Sequence, residues 1–359
     1  MSKKRTTMED VAKAAGVSRT TVSFVLNNIP NSNIADATRE RVLQVARELD
    51  YAPNTQALNL VTGRTMMIAL VVRKTTHQMA SDAFLGAVIE GIMQAIEPHG
   101  YHLMIHAAQP DGVNSTYRDL IRTRKADGLV ISSPMVSDAE VRLLHDEGTP
   151  VVLQGASTME GVASIDVDNE QGAYDAVRHL IELGHRRIGH ISNAPFSYAA
   201  SCERLNGYRK ALAEAGIPFD RALVREGNFT AESGYEPMYA LLDLAVGRSS
   251  RSMYALLDLE DRPTAVFIGS DEVALGALDA ARQRGITAPD DLSVIGFDNL
   301  PVGRYLQPPL TTVHLPAFDL GREAGNMILA LVRSEHLPRL KVSLPTRLIL
   351  RGSTAPVPA

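Results

Sequence analysis

Residues 7–28, with the sequence TMEDVAKAAGVSRTTVSFVLNN, constrain the fold of this chain more than any other segment. Apolar residues recur at helical spacing between Val11 and Ala15, and Gly16 can adopt the left-handed backbone conformation that ends a helix. Ser18 can cap a second helix only two residues later. Two short helices joined by a tight glycine turn predict a helix-turn-helix.

The second predicted helix carries hydrogen-bonding side chains on its outer face, as does a helix that enters the DNA major groove. Two-helix corners also occur in ordinary globular domains, so the motif alone leaves both alternatives open. Two neighbouring features favour DNA binding: residues 3–5 form a basic cluster, and residues 38–49 show the apolar spacing of a third helix. The outer polar side chains belong to Arg19, Thr20, Thr21, Ser23 and Asn27.

The net charge differs between the two parts of the chain. Residues 1–64 hold nine Lys/Arg and six Asp/Glu, for a net charge of +3, whereas residues 65–359 hold 27 and 35, for −8. A mildly basic head on an acidic body fits a protein that contacts a polyanion at one end. The single cysteine excludes an internal disulfide and fits a reducing cytoplasm. The sequence shows no apolar run of membrane-spanning length and no signal-peptide pattern.

From Met66 onward, apolar strand-like segments alternate with amphipathic helical segments. MMIALVV, GLVISS and TAVFIGS are three of the strand-like segments. This alternation predicts an α/β fold, in which parallel sheets are covered by helices. Because the stretch spans about 290 residues, two such subdomains are expected. The heptapeptide MYALLDL occurs at residues 238–244 and again at 253–259, which we interpret as a local tandem duplication on the surface.

Several motifs resemble the lactose-repressor/galactose-repressor (LacI/GalR) family of bacterial transcription regulators. They are DVAKAAGVSRTTVSFVLN, ATRERVLQVARELDYAPN, RPTAVFIGSDEVALGAL and SVIGFDNLPVGRYLQPPLTTV, which together reach across nearly the whole chain. The resemblance implies a three-helix DNA-binding headpiece over 1–52, a hinge helix over 53–65, and an effector-binding and dimerisation body over 66–359. That body would be a periplasmic-binding-protein-like pair, with an N-subdomain over about 66–164 and 294–318 and a C-subdomain over about 165–293 and 319–352.

The resemblance also assigns DNA-binding roles. Arg19 and Thr20 match positions that touch base edges, and an arginine there can bond bidentately to guanine. Phe24 stands where many relatives carry an arginine that contacts a base, so the DNA sequence recognised at this position is expected to differ from theirs. Leu60 matches a leucine that wedges into the minor groove, although it could also be an ordinary linker residue. The other matched positions, which contact phosphates or belong to the hinge, are Thr7, Ser18, Thr21, Ser23, Asn27, Asn54 and Ala57.

On the effector side, the resemblance implies a small, sugar-like molecule bound between the subdomains. Asp271 matches an aspartate that accepts hydrogen bonds from the effector, and Arg204 matches an arginine that donates them. Phe84 and Phe229 match aromatic residues that flank the ligand, and Gln154 stands where relatives often have aspartate. Ordinary alternatives remain open: Asp271 as a helix N-cap, Arg204 as an interdomain salt bridge, and both phenylalanines as core residues.

These features predict a dimeric, effector-responsive transcription regulator, more typical of a repressor, that binds a roughly palindromic double-stranded operator. One alternative is a periplasmic sugar-binding protein, which would share the fold of the body; the basic head and the missing signal peptide argue against it. The other is a sugar-modifying enzyme, but the sequence has no P-loop, nucleophile elbow or paired metal ligands. We therefore predict no catalytic residue, metal or cofactor, and a cytoplasmic protein without membrane association.

Overall fold

The computed structural model describes residues 6–26, 34–51, 63–80, 82–108, 117–136, 138–157, 159–243 and 262–357. The chain divides into two compact units, Met1–Thr65 and Met66–Ala359, which we call the head and the body. Asn27, the hinge positions Asn54, Ala57 and Leu60, and the second MYALLDL copy lie outside the described residues. Predictions for these positions stay predictions.

The described part of the head contains three helices: α1 (Met8–Ala15), α2 (Arg19–Leu26) and α3 (Asp36–Glu48). A reciprocal capping box starts α1, since the Asp10 amide donates to Thr7 Oγ1 and the Thr7 amide donates to the Asp10 carboxylate. Gly16 ends α1 with a φ of 63°, and Ser18 Oγ accepts a hydrogen bond from the Thr21 amide at 3.1 Å. The helix-turn-helix prediction is confirmed. The buried core of the head consists of Val11, Ala12, Ala15, Val22, Val25, Val42 and Ala46.

The described part of the body contains two six-stranded sheets. The first has the order β11-β5-β4-β3-β1-β2, and all its neighbouring strands are parallel. The second has the order β12-β10-β9-β8-β6-β7, and only the β10–β12 pair is antiparallel. The strands are β1 (Met67–Val72), β2 (His102–Ala107), β3 (Gly128–Ser132), β4 (Val151–Gln154), β5 (Ala163–Val167), β6 (Ile188–Ile191), β7 (Val224–Arg225), β8 (Ala265–Ile268), β9 (Ser293–Asp298), β10 (Thr311–His314), β11 (Lys341–Leu344) and β12 (Arg347–Ile349).

Helices cover both sheets, as the alternating pattern predicts. Helices α5 and α12 pack against each other beside the first sheet, and α8 and α9 pack against each other beside the second. The first pair approaches closely at Gly91, where an added Cβ would lie 2.1 Å from the Phe318 carbonyl oxygen. Among the described residues, no helix is both long and apolar enough to cross a membrane. The helices are α4 (Thr76–Ala80), α5 (Ala83–Ile96), α6 (Arg118–Arg122), α7 (Ala139–Asp146), α8 (Asn169–Glu182), α9 (Ala199–Glu214), α10 (Tyr235–Leu242), α11 (Asp271–Gln283) and α12 (Ala317–Val332).

The sheet topology corrects the predicted subdomain boundaries. Strands β9 and β10, which were expected in the N-subdomain, are interior strands of the second sheet. Conversely, α12 packs on β3, β4 and β5, and β11 pairs with β5, so this part of the chain returns to the first sheet. The N-subdomain therefore comprises about residues 66–167 and 317–344, and the C-subdomain about residues 168–315 and 345–357.

Candidate DNA-reading surface and ligand cleft

Helix α2 buries its two valines and exposes the polar side chains at its start. Val22 and Val25 are buried in the head, whereas Arg19 and Thr20 are exposed at the start of the helix. Phe24 is 38% exposed on the same helix, which leaves an apolar ring on the surface of the head. The first turn of α2 thus presents two side chains that can reach base edges.

Several of the predicted DNA contacts already have partners within the head, including Thr7, which is hydrogen-bonded to Asp10. Arg19 Nε lies 3.5 Å from Glu9 Oε2, and both side chains are largely exposed. Ser18 Oγ and Thr21 Oγ1 lie 2.9 Å apart at the start of α2. An exposed ion pair of this kind contributes little stability, so Arg19 can exchange Glu9 for a DNA group at small cost.

A cleft lies between the two subdomains of the body, beyond the carboxyl ends of the central strands. Residues that follow β1, β3 and β4 line it from the N-subdomain, and residues that follow β6, β8 and β9 line it from the C-subdomain. This is where α/β folds bind ligands. Four of the five predicted effector-binding residues line it: Phe84, Gln154, Arg204 and Phe229.

Arg204 is the most constrained side chain of the cleft. It projects from α9 and is only 6% exposed. Its Nε donates to Asn169 Oδ1 at 2.9 Å, its Nη1 donates to the Gly269 carbonyl, and its guanidinium carbon lies 3.9 Å from the centre of the Phe297 ring. These partners belong to the C-subdomain, which rules out the alternative of an interdomain salt bridge for these contacts.

Two carboxylates accompany Arg204 at the cleft. Asp298 Oδ1 lies 4.0 Å from Arg204 Nη1, and burial raises the pKa of Asp298 well above its usual range, although the guanidinium opposes this shift. Burial also raises the pKa of Asp166, to about 7. Its Oδ2 accepts a hydrogen bond from Asn169 Nδ2 at 2.7 Å, so Asn169 links Asp166 to Arg204. This cluster of a guanidinium, an amide and two carboxylates can therefore both donate and accept hydrogen bonds.

A second ion pair lies nearer the N-subdomain. Lys74 Nζ pairs with the Asp82 carboxylate and lies 4.3 Å from the centre of the Phe229 ring. Phe229 thus contributes to a cation–π contact between subdomains, rather than to a simple core. Gln154 is buried, and its Oε1 accepts a hydrogen bond from Ser132 Oγ at 2.7 Å.

The structure contradicts the predicted effector contact of Asp271. This side chain is fully buried and is not among the residues that line the cleft. Its two carboxylate oxygens accept hydrogen bonds from Thr312 Oγ1 at 2.6 Å and from the Leu300 amide at 2.7 Å. Ser270, not Asp271, caps α11, because Ser270 Oγ accepts from the Val273 amide.

Sequence reasoning missed five charged residues that line the cleft: Lys74, Asp82, Asp166, Glu272 and Asp298. Asp298 ends β9 in the segment GFDN, so it is a carboxylate at the carboxyl end of a strand, just as Asp271 follows β8. That positional signal was available for Asp298. The pairing of Lys74 with Asp82 depends on tertiary contact and had no comparable signal.

The two subdomains contact each other across the cleft. The Val136 amide donates to the Ser197 carbonyl at 2.9 Å, and the Tyr198 hydroxyl donates to the Arg73 carbonyl at 3.4 Å. Gln78 Nε2 also lies 3.3 Å from the Asn228 carbonyl oxygen. Any molecule that favours or opposes these contacts will change the relative populations of closed and open arrangements.

Two family models match the chain. Residues 7–54 match "Bacterial regulatory proteins, lacI family", and residues 177–354 match "Periplasmic binding protein-like domain". The HTH-type transcriptional regulator DegA of Bacillus subtilis (strain 168) is 35% identical over 358 residues, which cover 98% of this chain and 99% of DegA. The HTH-type transcriptional repressor CytR of Escherichia coli (strain K12) is 35% identical over 354 residues, which cover 98% of this chain and 97% of CytR.

Solved structures agree with these matches. A complex of the transcriptional regulator CelR with cellobiose has a TM-score of 0.71 and 33% identity, covering 97% of this chain and 100% of CelR. A lac repressor dimer bound to operator and the anti-inducer ONPF has a TM-score of 0.81 and 26% identity, covering 98% of this chain and 100% of the lac repressor chain. Because these matches include the head, they disfavour the alternative of a solute-binding protein. The chain belongs to the LacI family of DNA-binding transcription regulators.

Proposed function

We propose that the protein is a homodimeric repressor whose affinity for a roughly palindromic operator depends on a small effector bound between its subdomains. The observation that carries this proposal is the position of Arg204 and Asp298, 4.0 Å apart on the wall of the interdomain cleft. Buried, oppositely charged groups beside an open cleft supply directional contacts to a polar ligand. A regulator of this kind acts on chromosomal DNA and therefore works in the cytoplasm.

The head supplies sequence recognition. Arg19 and Thr20 contact base edges, and the helix-capping residues Thr7 and Ser18 lie at exposed helix starts, where hydroxyls and amides suit phosphate oxygens. Thr21, Ser23 and Asn27 add contacts to the phosphate backbone of the DNA. Leu60 wedges into the minor groove, and Asn54 and Ala57 of the same hinge also contact DNA. Two such heads on a twofold axis require two related half-sites, as in the lac repressor dimer bound to operator.

The charges of the cleft favour one kind of effector. Among the described lining residues, the two cations Lys74 and Arg204 each lie within 4.0 Å of a carboxylate. The described lining carboxylates outnumber these cations and belong to Asp82, Asp166, Glu272 and Asp298. An anionic ligand would find both of these cations already paired with carboxylates in a partly desolvated site, which makes its binding costly.

A neutral ligand that donates hydrogen bonds to carboxylates and offers a ring face to Phe84 and Phe229 fits this lining. A sugar or a nucleoside has both properties. The related CelR binds cellobiose in its solved complex, which supports the sugar class. We therefore expect a neutral, polyhydroxylated effector in preference to its phosphorylated derivatives.

Regulation follows from linkage between the two sites. An effector changes operator affinity only if it binds the two subdomain arrangements with different affinities. The contacts of Tyr198 with Arg73, and of Val136 with Ser197, exist only when the subdomains are close. A bound effector alters the population of this closed arrangement, and in the dimer the arrangement sets the distance between the two hinges.

A ligand screen tests the proposal. The full chain is heated with neutral sugars, nucleosides and their phosphorylated counterparts, because a ligand stabilises by RT ln(1 + [L]/Kd). An operator obtained by selection from random duplexes then reports DNA affinity with and without each stabilising compound. Stabilisation by neutral compounds that also change operator affinity is expected. Stabilisation by phosphorylated compounds alone, or stabilisation without any change in operator affinity, would contradict the proposal.

A further inference from the structure

Asp271 is a buried carboxylate that the proposed regulation does not use. Its two oxygens accept hydrogen bonds from groups on two other segments: Thr312 Oγ1 on β10 at 2.6 Å and the Leu300 amide after β9 at 2.7 Å. A charged acceptor forms stronger hydrogen bonds than a neutral one. Asp271 therefore ties the start of α11 to the segment that leaves β9.

The segment held by Asp271 carries cleft residues. Asp298 and Leu300 both line the cleft, and they flank Asn299. Asp298 has a φ of 113° and Asn299 a φ of 61°, so two consecutive residues other than glycine lie in the left-handed region. Such a conformation persists only where surrounding contacts determine it. The hydrogen bond from the Leu300 amide to Asp271 is one of these contacts.

Neighbouring residues leave room for this carboxylate and add further contacts. A Cβ at Gly296 would lie 2.1 Å from Asp271 Oδ1, so only glycine at this place in β9 allows Asp271 to sit where it does. Asn299 is fixed from the other side, since Arg351 Nη2 donates to Asn299 Oδ1 at 2.5 Å and the Asn299 amide donates to Thr312 Oγ1 at 3.3 Å. Thr312 thus bridges Asp271 and Asn299.

We propose that Asp271 is a positioning residue of the effector cleft: it does not touch the ligand, but it holds the segment Asp298–Leu300 in the conformation that presents the Asp298 carboxylate beside Arg204. This inference rests on the proposed function of the cleft. It also explains why an acidic residue at this place resembles a ligand contact in sequence while lying behind the cleft wall.

Local hydrogen exchange in the full-length protein tests the proposal without any ligand. Asp271→Asn keeps the size of the side chain but removes its negative charge and one of its two acceptor oxygens, so the Leu300 N–H keeps at most a weaker, neutral acceptor. We expect exchange at the Leu300 amide to become at least tenfold faster, while exchange in β6 and α8 stays unchanged. Thr312→Val, which removes one support of the same carboxylate, should give a smaller acceleration. Asp290→Asn, an exposed residue of the same subdomain, is the matched control.

Unchanged exchange at Leu300 in Asp271→Asn would overturn the proposal. Faster exchange spread evenly over the C-subdomain would also overturn it, because that result indicates a general folding role. A titration with cellobiose links the segment to the cleft: Asp271→Asn should weaken binding at least tenfold, with unchanged operator affinity in the absence of sugar. If the parent protein does not bind cellobiose, the sugar assignment of the proposed function fails for this compound, and the exchange measurement alone decides the role of Asp271.

Discussion

Replacing Arg204 with methionine should destabilise the body strongly, and more so at high pH than at low pH. Methionine keeps most of the aliphatic volume, so the change mainly removes the guanidinium. The variant loses the hydrogen bonds to Asn169 Oδ1 and to the Gly269 carbonyl. It also leaves Asp298 and Asp166 without the cation that lowers the pKa of both.

The magnitude follows from the burial of these groups. Removing one partner of a buried charge pair costs about 3–5 kcal/mol, because the remaining charge is left unpaired. Burial also lowers the pKa of Arg204, so removing this desolvated cation recovers part of that cost. We therefore expect a loss near the lower limit, about 3 kcal/mol at pH 8. Once both carboxylates are protonated, only the two lost hydrogen bonds remain, worth about 1 kcal/mol each.

The pH dependence has a definite sign. Without Arg204, the pKa values of Asp166 and Asp298 in the folded state rise further, so the variant binds more protons than the parent protein at intermediate pH. Its destabilisation relative to the parent must therefore shrink as the pH falls from 8 to 5.

Urea unfolding at both pH values, followed by far-UV circular dichroism or by tyrosine emission since the chain has no tryptophan, measures this difference. Arg178→Met, at an exposed arginine of α8, is a matched control that should change stability little. A loss below about 1 kcal/mol at pH 8, or a loss independent of pH, would refute the view that Arg204 compensates buried carboxylates.

Three further predictions concern DNA and pH. Arg19→Ala should weaken operator binding by about 1–3 kcal/mol in gel-shift titrations, whereas an equal loss on random DNA would indicate a phosphate contact instead. Leu60→Ala should weaken operator binding and reduce the bend measured by circular-permutation gel shifts, and an unchanged bend would remove the wedge hypothesis. Burial lowers the pKa of His190 to about 4, which makes the folded state more favourable as pH rises from about 4 to 6.5. Asp166 and Asp271 have the opposite effect: burial raises the pKa of both to about 7, so the folded chain binds more protons at these groups and they contribute a decline of stability between about pH 4 and 7. In urea titrations Asp271→Asn should reduce this slope by up to about 1.4 kcal/mol per pH unit, and an unaltered slope would contradict the raised pKa of Asp271.

Local signals explain why the fold of the head was predictable from sequence. The capping hydroxyls of Thr7 and Ser18 and the left-handed turn at Gly16 act within a few residues of each other, and all three behave as expected. The third helix was expected over residues 38–49 and spans Asp36–Glu48. Helix ends without a strong capping side chain are less well defined, and no side-chain hydrogen bond caps α3.

The subdomain boundaries were not predictable in the same way. The central strands of both sheets have the same apolar signature, because they are buried between helices. The chain crosses between the sheets near residues 168, 316 and 345, and local composition does not record which sheet receives the next strand. The assignment of β9, β10 and α12 therefore required the strand pairing itself.

The contrast between Asp271 and Asp298 shows the same limit at the level of one side chain. Both follow or end a strand of the second sheet, so position along the chain cannot distinguish them. The difference lies in side-chain direction, which depends on the space left by Gly296 and on the left-handed backbone at Asp298. Arg204 was predicted to line the cleft and does so, because its position on α9 places its side chain there.

The central claim is that a ligand in the cleft controls operator affinity, and its most direct test compares Asp298→Asn with the parent protein. The operator Kd of each is measured by fluorescence anisotropy with and without a neutral compound that stabilises the parent. For the parent we expect the compound to change the Kd more than fivefold, within the usual range of coupling free energies. Asp298→Asn should bind operator like the parent without the compound and respond little to it, whereas the control Asp290→Asn should respond fully. An Asp298→Asn protein that responds like the parent would contradict the account.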